Sequence, residues 1–478
     1  MIELFEQSID FVNTMLWSGI LIVVLIGAGL WFTISLKGIQ FRYIKEMSRL
    51  VFEGAGKKSE GVSSFQAFTM SLASRVGTGN MAGVAIAIAL GGPGAVFWMW
   101  IIALIGSASA FVESTLAQVY KEPNGKTYRG GPAYYMEKAL HNRNLGIAFS
   151  ILITLCFGFI FNAVQSNTIT AAFVKVINGE ETPEMISIFG RNFDVMQLGV
   201  GVVLVLITSL VIFGGVKRIA KFTEAVVPIM ALAYLAVSVV VIALNITEIP
   251  SIILLILREA VGMESIVGAG IGTVLMQGIK RGLFSNEAGM GSAPNAAATA
   301  EVSHPVKQGF IQALGVFTDT LVICTATAFV ILIGGNYIGA EEGIQLTQSS
   351  LVSEVGAWGS QFIAVCIFLF AFSSIIGNYY YGESNIQFMS GSKKTLTGYR
   401  ILVLGMVFFG ALAKVKIVWD LADIFMGLMA LLNIYAIFRL FPIAKKVFLD
   451  YEKQKKEGKD PVFKASNVGL ENETDCWK

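Results

Sequence analysis

Along most of the chain, apolar residues come in unbroken runs, each closed by a short cluster of charges, glycines or prolines. A helix needs ~20 mainly apolar residues to cross a bilayer, and about eleven runs meet that length. They lie near 14–35, 64–90, 95–119, 145–177, 196–213, 223–243, 265–283, 306–333, 360–381, 399–413 and 418–443. The turn between the second and third holds Gly91, Gly92 and Pro93, residues suited to a tight reversal. The stretch with Pro250, Arg258, Glu259 and Glu264 predicts a short interfacial helix between spans six and seven.

Two runs depart from the pattern. The second carries Gly77, Gly79 and Gly83 among the polar Ser71, Ser74, Arg75, Thr78 and Asn80. The seventh carries Gly268, Gly270, Gly272 and Gly278 around Thr273 and Gln277. Inside a bilayer, helix breaks are tolerated only where protein or an aqueous cavity satisfies the freed backbone groups. In secondary transporters such breaks face substrate and coupling ion. Glycines also let membrane helices pack closely, so either run alone has a plain packing reading. Their positions favour a site: with span one set aside, ten spans remain, and each group of five opens on a glycine-rich run. Five is odd, so the two groups insert in opposite senses. The predicted fold is an all-α integral membrane protein with an inverted five-plus-five repeat and one extra N-terminal helix. Its expected parts are the extra helix (1–36), a transporter core (37–444) with repeats near 64–243 and 265–443, and a tail (445–478).

Composition agrees with a membrane protein. Hydrophobic residues make up 55% and charged residues 14% of 478, with a mean hydropathy of +0.68, far from soluble averages. A net charge of +2 without a basic patch gives no reason to expect nucleic acid. Basic loops follow spans one, three, five, seven, nine and eleven, including Lys57 and Lys58 after the first, whereas the amino terminus and the Glu180–Glu184 loop are acidic. The positive-inside rule places the amino terminus outside and the lysine-rich tail in the cytoplasm, with Lys414 and Lys416 as a local exception. Beyond Asp460 the tail is expected to be partly disordered. The opening MIELFEQSID is acidic and its first apolar run lacks a small-residue cleavage site, so that run reads as a membrane helix, not a leader. Cys156, Cys324, Cys366 and Cys476 have no metal-like spacing and read as free thiols. His141 and His304 are too few and too separate for a metal or triad site, and no HExxH or GxSxG motif is present. The chain is therefore not read as an enzyme.

Three stretches carry a resemblance: RVGTGNMAGVAIAIALGGPGAVFWMW (75–100), KRGLFSNEAGMGSAPNAAA (280–298) and FAFSSIIGNYYYGE (370–383). They resemble the alanine or glycine:cation symporter family, and Gly77 to Asn80 is more distantly similar to the broken first core helix of neurotransmitter:sodium symporters. The resemblance covers nearly the whole chain. It implies sodium-driven amino-acid uptake by alternating access across the plasma membrane, with sodium as coupling ion and no organic cofactor. It also implies sodium ligands at Ser373 and Ser374, joined by the carbonyls of Ala73 and Val76. Taken alone, each serine has another reading, a bond to its own i−4 carbonyl. At the position of Asn378 the alanine-selective members of the family carry an aromatic, usually tryptophan. Asparagine removes bulk and adds a donor and an acceptor, which favours a larger polar substrate, glutamine first, over strict alanine or glycine selectivity.

The chemistry of an amino acid leads to the same residues. Unwinding at Thr78, Gly79 and Asn80 would leave amides at the start of a half-helix, where free donors and the helix dipole favour a carboxylate. Glycine at 79 would let the ligand approach the backbone. Carbonyls freed by the breaks can accept from the ammonium, with Thr273 and Gln277 as side-chain candidates; both residues also suit interhelical hydrogen bonds. Gln165 lies on a polar stretch of span four that could line a cavity, and Phe161 and Met276 read as pocket walls or as packing. Arg75 needs a partner or water, with Glu113, Glu224, Glu383 and Asp319 as open choices. Glu113 and Asp319 lie within spans and keep a proton-coupled carrier as the alternative to sodium coupling.

Overall fold

The computed structural model describes residues 2–54, 61–179, 184–188, 191–263, 268, 270–335, 337 and 343–477. The predicted Lys57, Lys58, Glu180 to Pro183, Glu264 and Ser265 lie outside these residues. Among the described residues nine helices are long and apolar enough to cross a membrane: Gln7–Ser35, Gly94–Val119, Arg143–Asn178, Val195–Ile212, Gly215–Leu244, Pro305–Gly334, Trp358–Met389, Lys393–Leu412 and Val415–Lys456. Two interrupted elements complete the eleven: Ser64–Arg75 with Gly79–Gly91, and Ile271–Asn286 with Pro294–Ala297. Span boundaries fall close to those predicted, because run length is the dominant signal in a bilayer. Span eleven continues to Lys456 as a helix well beyond its apolar run. The interfacial helix is Ile249–Ala260, with proline in its first turn.

The spans pack in two groups. Spans two, three, seven and eight contact one another, as do spans four, five, nine and ten, and spans six and eleven contact members of both. Each group takes the same members from both fives: the first and second in one case, the third and fourth in the other. The kinked first span, Ile2–Trp17 and Ile20–Ser35, lies against spans three and eleven. Trp17 Nε1 donates to the Asp423 carbonyl at 3.3 Å.

The helix Ile344–Val355 had no apolar run to betray it. It is held in the bundle by polar contacts: Thr347 Oγ1 donates to the Met81 carbonyl at 3.2 Å and Gln348 Nε2 to that of Ala172 at 3.2 Å. The tail also differs from expectation. Lys307 pairs with Asp460 at 2.7 Å, the Phe463 amide donates to the Ser303 carbonyl at 2.9 Å, and Trp477 Nε1 donates to the Gln118 carbonyl at 2.8 Å. Lys121 Nζ sits 4.8 Å from the Trp477 ring. Phe463, Leu470 and Trp477 are buried, and these three side chains anchor a segment whose average composition is polar. Burying one such residue contributes ~1.5–3 kcal/mol, so a chain ending at Asp460 should melt several degrees below the full chain. Equal melting temperatures in the same detergent would show that docking of the tail adds nothing.

Candidate functional site

Span two starts from a capping box at Ser63 and Gln66 and runs as a regular helix to Arg75. It breaks at Val76 and Gly77, just ahead of the expected position, so Thr78, Gly79 and Asn80 already belong to the second half. That half opens on a wide π turn, Gly79–Gly83. The donors freed by the break have side-chain acceptors. Gly77 N donates to Asn80 Oδ1 at 2.9 Å. Thr78 N and Thr78 Oγ1 both donate to Gln165 Oε1, at 3.0 and 2.7 Å. The tightest approach between helices at this break is at Gly77. A Cβ at 77 would fall 2.2 Å from Ser374 Oγ and 2.9 Å from Gln165 Oε1, whereas one at 79 would meet Phe284 and the backbone of Ser285 at 3.0 Å. Gly79 thus serves the contact between spans two and seven.

The second break lies elsewhere than predicted. Ile271–Asn286 is one continuous helix that includes Gly272, Thr273, Met276, Gln277 and Gly278. Gly278 is there for packing: an added Cβ would sit 2.4 Å from the Ala95 carbonyl. The chain leaves the helix at Glu287 (φ 56°), passes through Gly289 (φ 82°) and Gly291 (φ 84°), and resumes at Pro294–Ala297. Such positive φ values suit glycine. Glu113 of span three satisfies the exposed backbone: its carboxylate accepts from Gly289 N at 3.2 Å, Gly291 N at 3.1 Å and Asn433 Nδ2 at 2.7 Å. Gln277 lies eight residues before Ser285, roughly 12 Å along the helix, and packs against Gly91. Thr273, Met276 and Gln277 are therefore remote from the breaks, beside which Phe284, Ser285 and Glu287 lie instead.

The two breaks meet. Ser74 Oγ lies 2.7 Å from Glu287 Oε1 and 2.7 Å from Asn378 Oδ1, and Ser292 Oγ donates to Glu287 Oε2 at 2.6 Å. Among the described residues Asn378 Nδ2 is buried without a partner, and the Tyr381 hydroxyl lies beside Ser74. On the other side, along the second half of span two, tilted aromatic rings pack in series: Phe161 against Phe284 at 4.6 Å and Phe284 against Trp419 at 4.7 Å. Asp319 joins the same halves from span eight, accepting from Asn80 Nδ2 at 2.7 Å, Ser285 Oγ at 2.7 Å and Thr320 Oγ1 at 2.8 Å.

Beside Gly77, Ser374 Oγ contacts three carbonyl oxygens: Ala73 at 2.8 Å, Phe370 at 3.1 Å and Val76 at 3.4 Å. Ser373 Oγ donates to the Phe370 carbonyl at 2.8 Å and turns toward Met230 Sδ at 3.7 Å. The structure thus brings Ala73, Val76 and Ser374 together, places Ser373 next to them through a shared carbonyl, and adds Phe370, whose backbone oxygen leaves no trace in sequence. Neutral carbonyl and hydroxyl oxygens suit a hard cation.

The overall arrangement is found in a solved structure. The crystal structure of MhsT in complex with L-phenylalanine superposes with a TM-score of 0.55 at 14% identity, over 82% of this chain and 99% of that one. The sequence profile of the sodium:alanine symporter family matches residues 2–465. The chain belongs to the sodium:alanine symporter family. Within it, the chain is 54% identical to the probable sodium/glutamine symporter GlnT of Bacillus subtilis, over 99% of this chain and 96% of that protein. It is 42% identical to the putative sodium/proton-dependent alanine carrier protein YrbD of the same species, over 98% and 97%. A sodium:alanine symporter family member is an amino-acid symporter and not an enzyme, and its fold is LeuT-like.

In this family member Arg75 pairs with none of the four carboxylates proposed for it among the described residues. Its Nη1 donates to the Gln312 carbonyl at 3.2 Å, while Nε and Nη2 are buried without partners. Glu224 accepts from Gln66 at 2.8 Å, and Glu383 faces Arg400 at 3.7 Å.

Proposed function

We propose that this protein is a sodium-coupled symporter that imports neutral amino acids across the plasma membrane, with glutamine among its favoured substrates. The observation that carries the reading is the seam between spans two and nine, where Ser374 touches the carbonyls of Ala73 and Val76 and Asn378 presents a free amide one turn further on. In this reading sodium sits among the oxygens of Ala73, Val76, Phe370, Ser373 and Ser374. The substrate carboxylate takes Thr78 N and Oγ1 from Gln165 at the start of the second half-helix, where the dipole favours negative charge. Carbonyls freed at Val76 and at the second break accept from the ammonium. The side chain reaches toward Asn378 Nδ2, with Glu287 Oε1 able to accept from a carboxamide N–H. Phe161 and Phe284 close the other side. The amino terminus lies outside and the tail in the cytoplasm, as the loop charges require. The repeats run near 64–243 and 265–443, with the second break at 287–293.

Asn378 is tied to span two through Ser74, whose single hydroxyl proton cannot serve Glu287 and Asn378 at once, and the tie leaves at least one carboxamide N–H open. That unpaired N–H group suits a side-chain carbonyl, and a site built to hydrogen-bond rejects ligands lacking that group. Glutamine should therefore compete for uptake at least as well as alanine, and Asn378→Trp should reverse the preference. A wild-type protein in which excess glutamine leaves alanine uptake unchanged would rule this out.

The serines separate a further expectation. Ser374→Ala removes the hydroxyl that reaches span two, so its half-saturating sodium concentration should rise well above that of Ser373→Ala. Saturating sodium should restore part of the substrate affinity, because coupling is reciprocal. Equal sodium responses in both variants would contradict the assignment.

A second reading, proton coupling, draws on the buried Asp319, which bridges Asn80 and Ser285. Its oxygens accept from three donors, Asn80, Ser285 and Thr320. Sodium dependence of uptake at fixed pH separates the two.

A further inference from the structure

A cavity of about 310 Å³ opens where spans one and eleven leave the bilayer on the basic face. Lys37, Arg42, Lys445 and Lys456 line it, with Glu452 as its single carboxylate. Glu452 is shared: Arg42 reaches it at 3.2 Å, Lys456 at 3.3 Å and the Tyr43 hydroxyl at 2.8 Å. Lys37 and Lys445 have no ion pair among the described residues. Lys37 is held in a left-handed conformation (φ 54°) directly after the first span. The floor is apolar, formed by the buried Leu36 and Phe448. Ile34, Phe438 and Leu449 are 73%, 50% and 50% exposed, and they continue the rim along the lipid-facing surfaces of the same two spans.

We propose that this cavity binds the headgroup phosphate of an anionic phospholipid, whose acyl chains lie along the apolar faces of spans one and eleven. Basic pockets between membrane helices on the cytoplasmic side are suited to anionic headgroups. Two unpaired lysines, at headgroup level on neighbouring spans, give a doubly charged clamp that a zwitterionic lipid satisfies poorly. The adjacent exposed apolar side chains favour a lipid over a free phosphate, since a soluble ion gains nothing from them. Bound there, the lipid would fasten the extra first span to the extension of span eleven, the same extension that carries the docked tail.

The test uses the full-length protein purified in a neutral detergent and titrated with phosphatidylglycerol, phosphatidylcholine or glycerol phosphate, with bound lipid counted by native mass spectrometry. Phosphatidylglycerol is expected to bind in preference to phosphatidylcholine. Each lysine lost should weaken it about fivefold, from ~1 kcal/mol per charge near the surface. Lys37→Ala with Lys445→Ala should then erase most of the preference, while Lys393→Ala with Lys394→Ala, exposed lysines outside the cavity, should leave it intact. These cavity lysines are exposed and unpaired, so the double variant is expected to fold, and monodisperse elution confirms that it has. Undiminished phosphatidylglycerol binding in the Lys37/Lys445 variant, or equal loss in the control variant, would overturn the proposal. Binding of glycerol phosphate as tight as that of the lipid would overturn the acyl-chain part by showing a soluble-phosphate site.

Discussion

Gly77→Ala is expected to abolish sodium-driven uptake at ordinary sodium concentrations in a protein that still folds and inserts. The new methyl group would lie 2.2 Å from Ser374 Oγ and 3.1 Å from Ser374 Cβ, too close for either to stay. Ser374 cannot retreat without leaving the carbonyls of Ala73 and Val76, so the seam between spans two and nine opens. Losing one or two ligands to a charged ion, at roughly 1.5–3 kcal/mol each, corresponds to a fall in sodium affinity of about 10- to 100-fold or more. Fold stability should change less, because the residue already lies at a break in the helix. Measured sodium activation of uptake decides the matter: a Gly77→Ala protein with a wild-type sodium curve would show that the seam is not the ion site.

The second large effect is expected at Glu113. Its carboxylate accepts from Gly289 N, Gly291 N and Asn433 Nδ2, and so holds the unwound stretch of span seven against spans three and eleven. Glu113→Ala leaves three buried donors without an acceptor, each costing about 1–3 kcal/mol, and should lower both the melting temperature and uptake steeply. Glu113→Gln sharpens the test. A glutamine would mimic a protonated carboxyl and preserve function in part if Glu113 merely carried a proton. Here it brings an amide N–H₂ against donors that already need acceptors, so stability should fall and uptake should drop alike at every pH. A stable Glu113→Gln protein that has lost only its pH dependence would favour proton coupling.

The spans were readable because hydrocarbon thickness fixes run length, and the break in span two because Gly77 to Asn80 interrupts an otherwise apolar run. The meeting of Ser374 with Ala73 and Val76 was legible only through the family resemblance, since two of the three groups are backbone. The second break was misplaced for a physical reason. Glycine density marks both broken and tightly packed helices, and Gly278 proved to be of the packed kind, against Ala95. The actual break at Glu287 to Ala293 depends on Glu113, an acceptor 176 positions from Gly289 in the chain, a pairing no local pattern reveals. Arg75 went unmatched for a similar reason, its partner being the main-chain oxygen of Gln312.

The central claim is that sodium binding at the seam drives amino-acid entry, and glutamine transport into proteoliposomes tests it most directly. With pH held equal on both sides and an inward sodium gradient imposed, labelled glutamine should accumulate above equilibrium. Replacing sodium by potassium should reduce uptake to the level of empty vesicles. Accumulation that persists in potassium, or that follows an imposed proton gradient without sodium, would contradict the account.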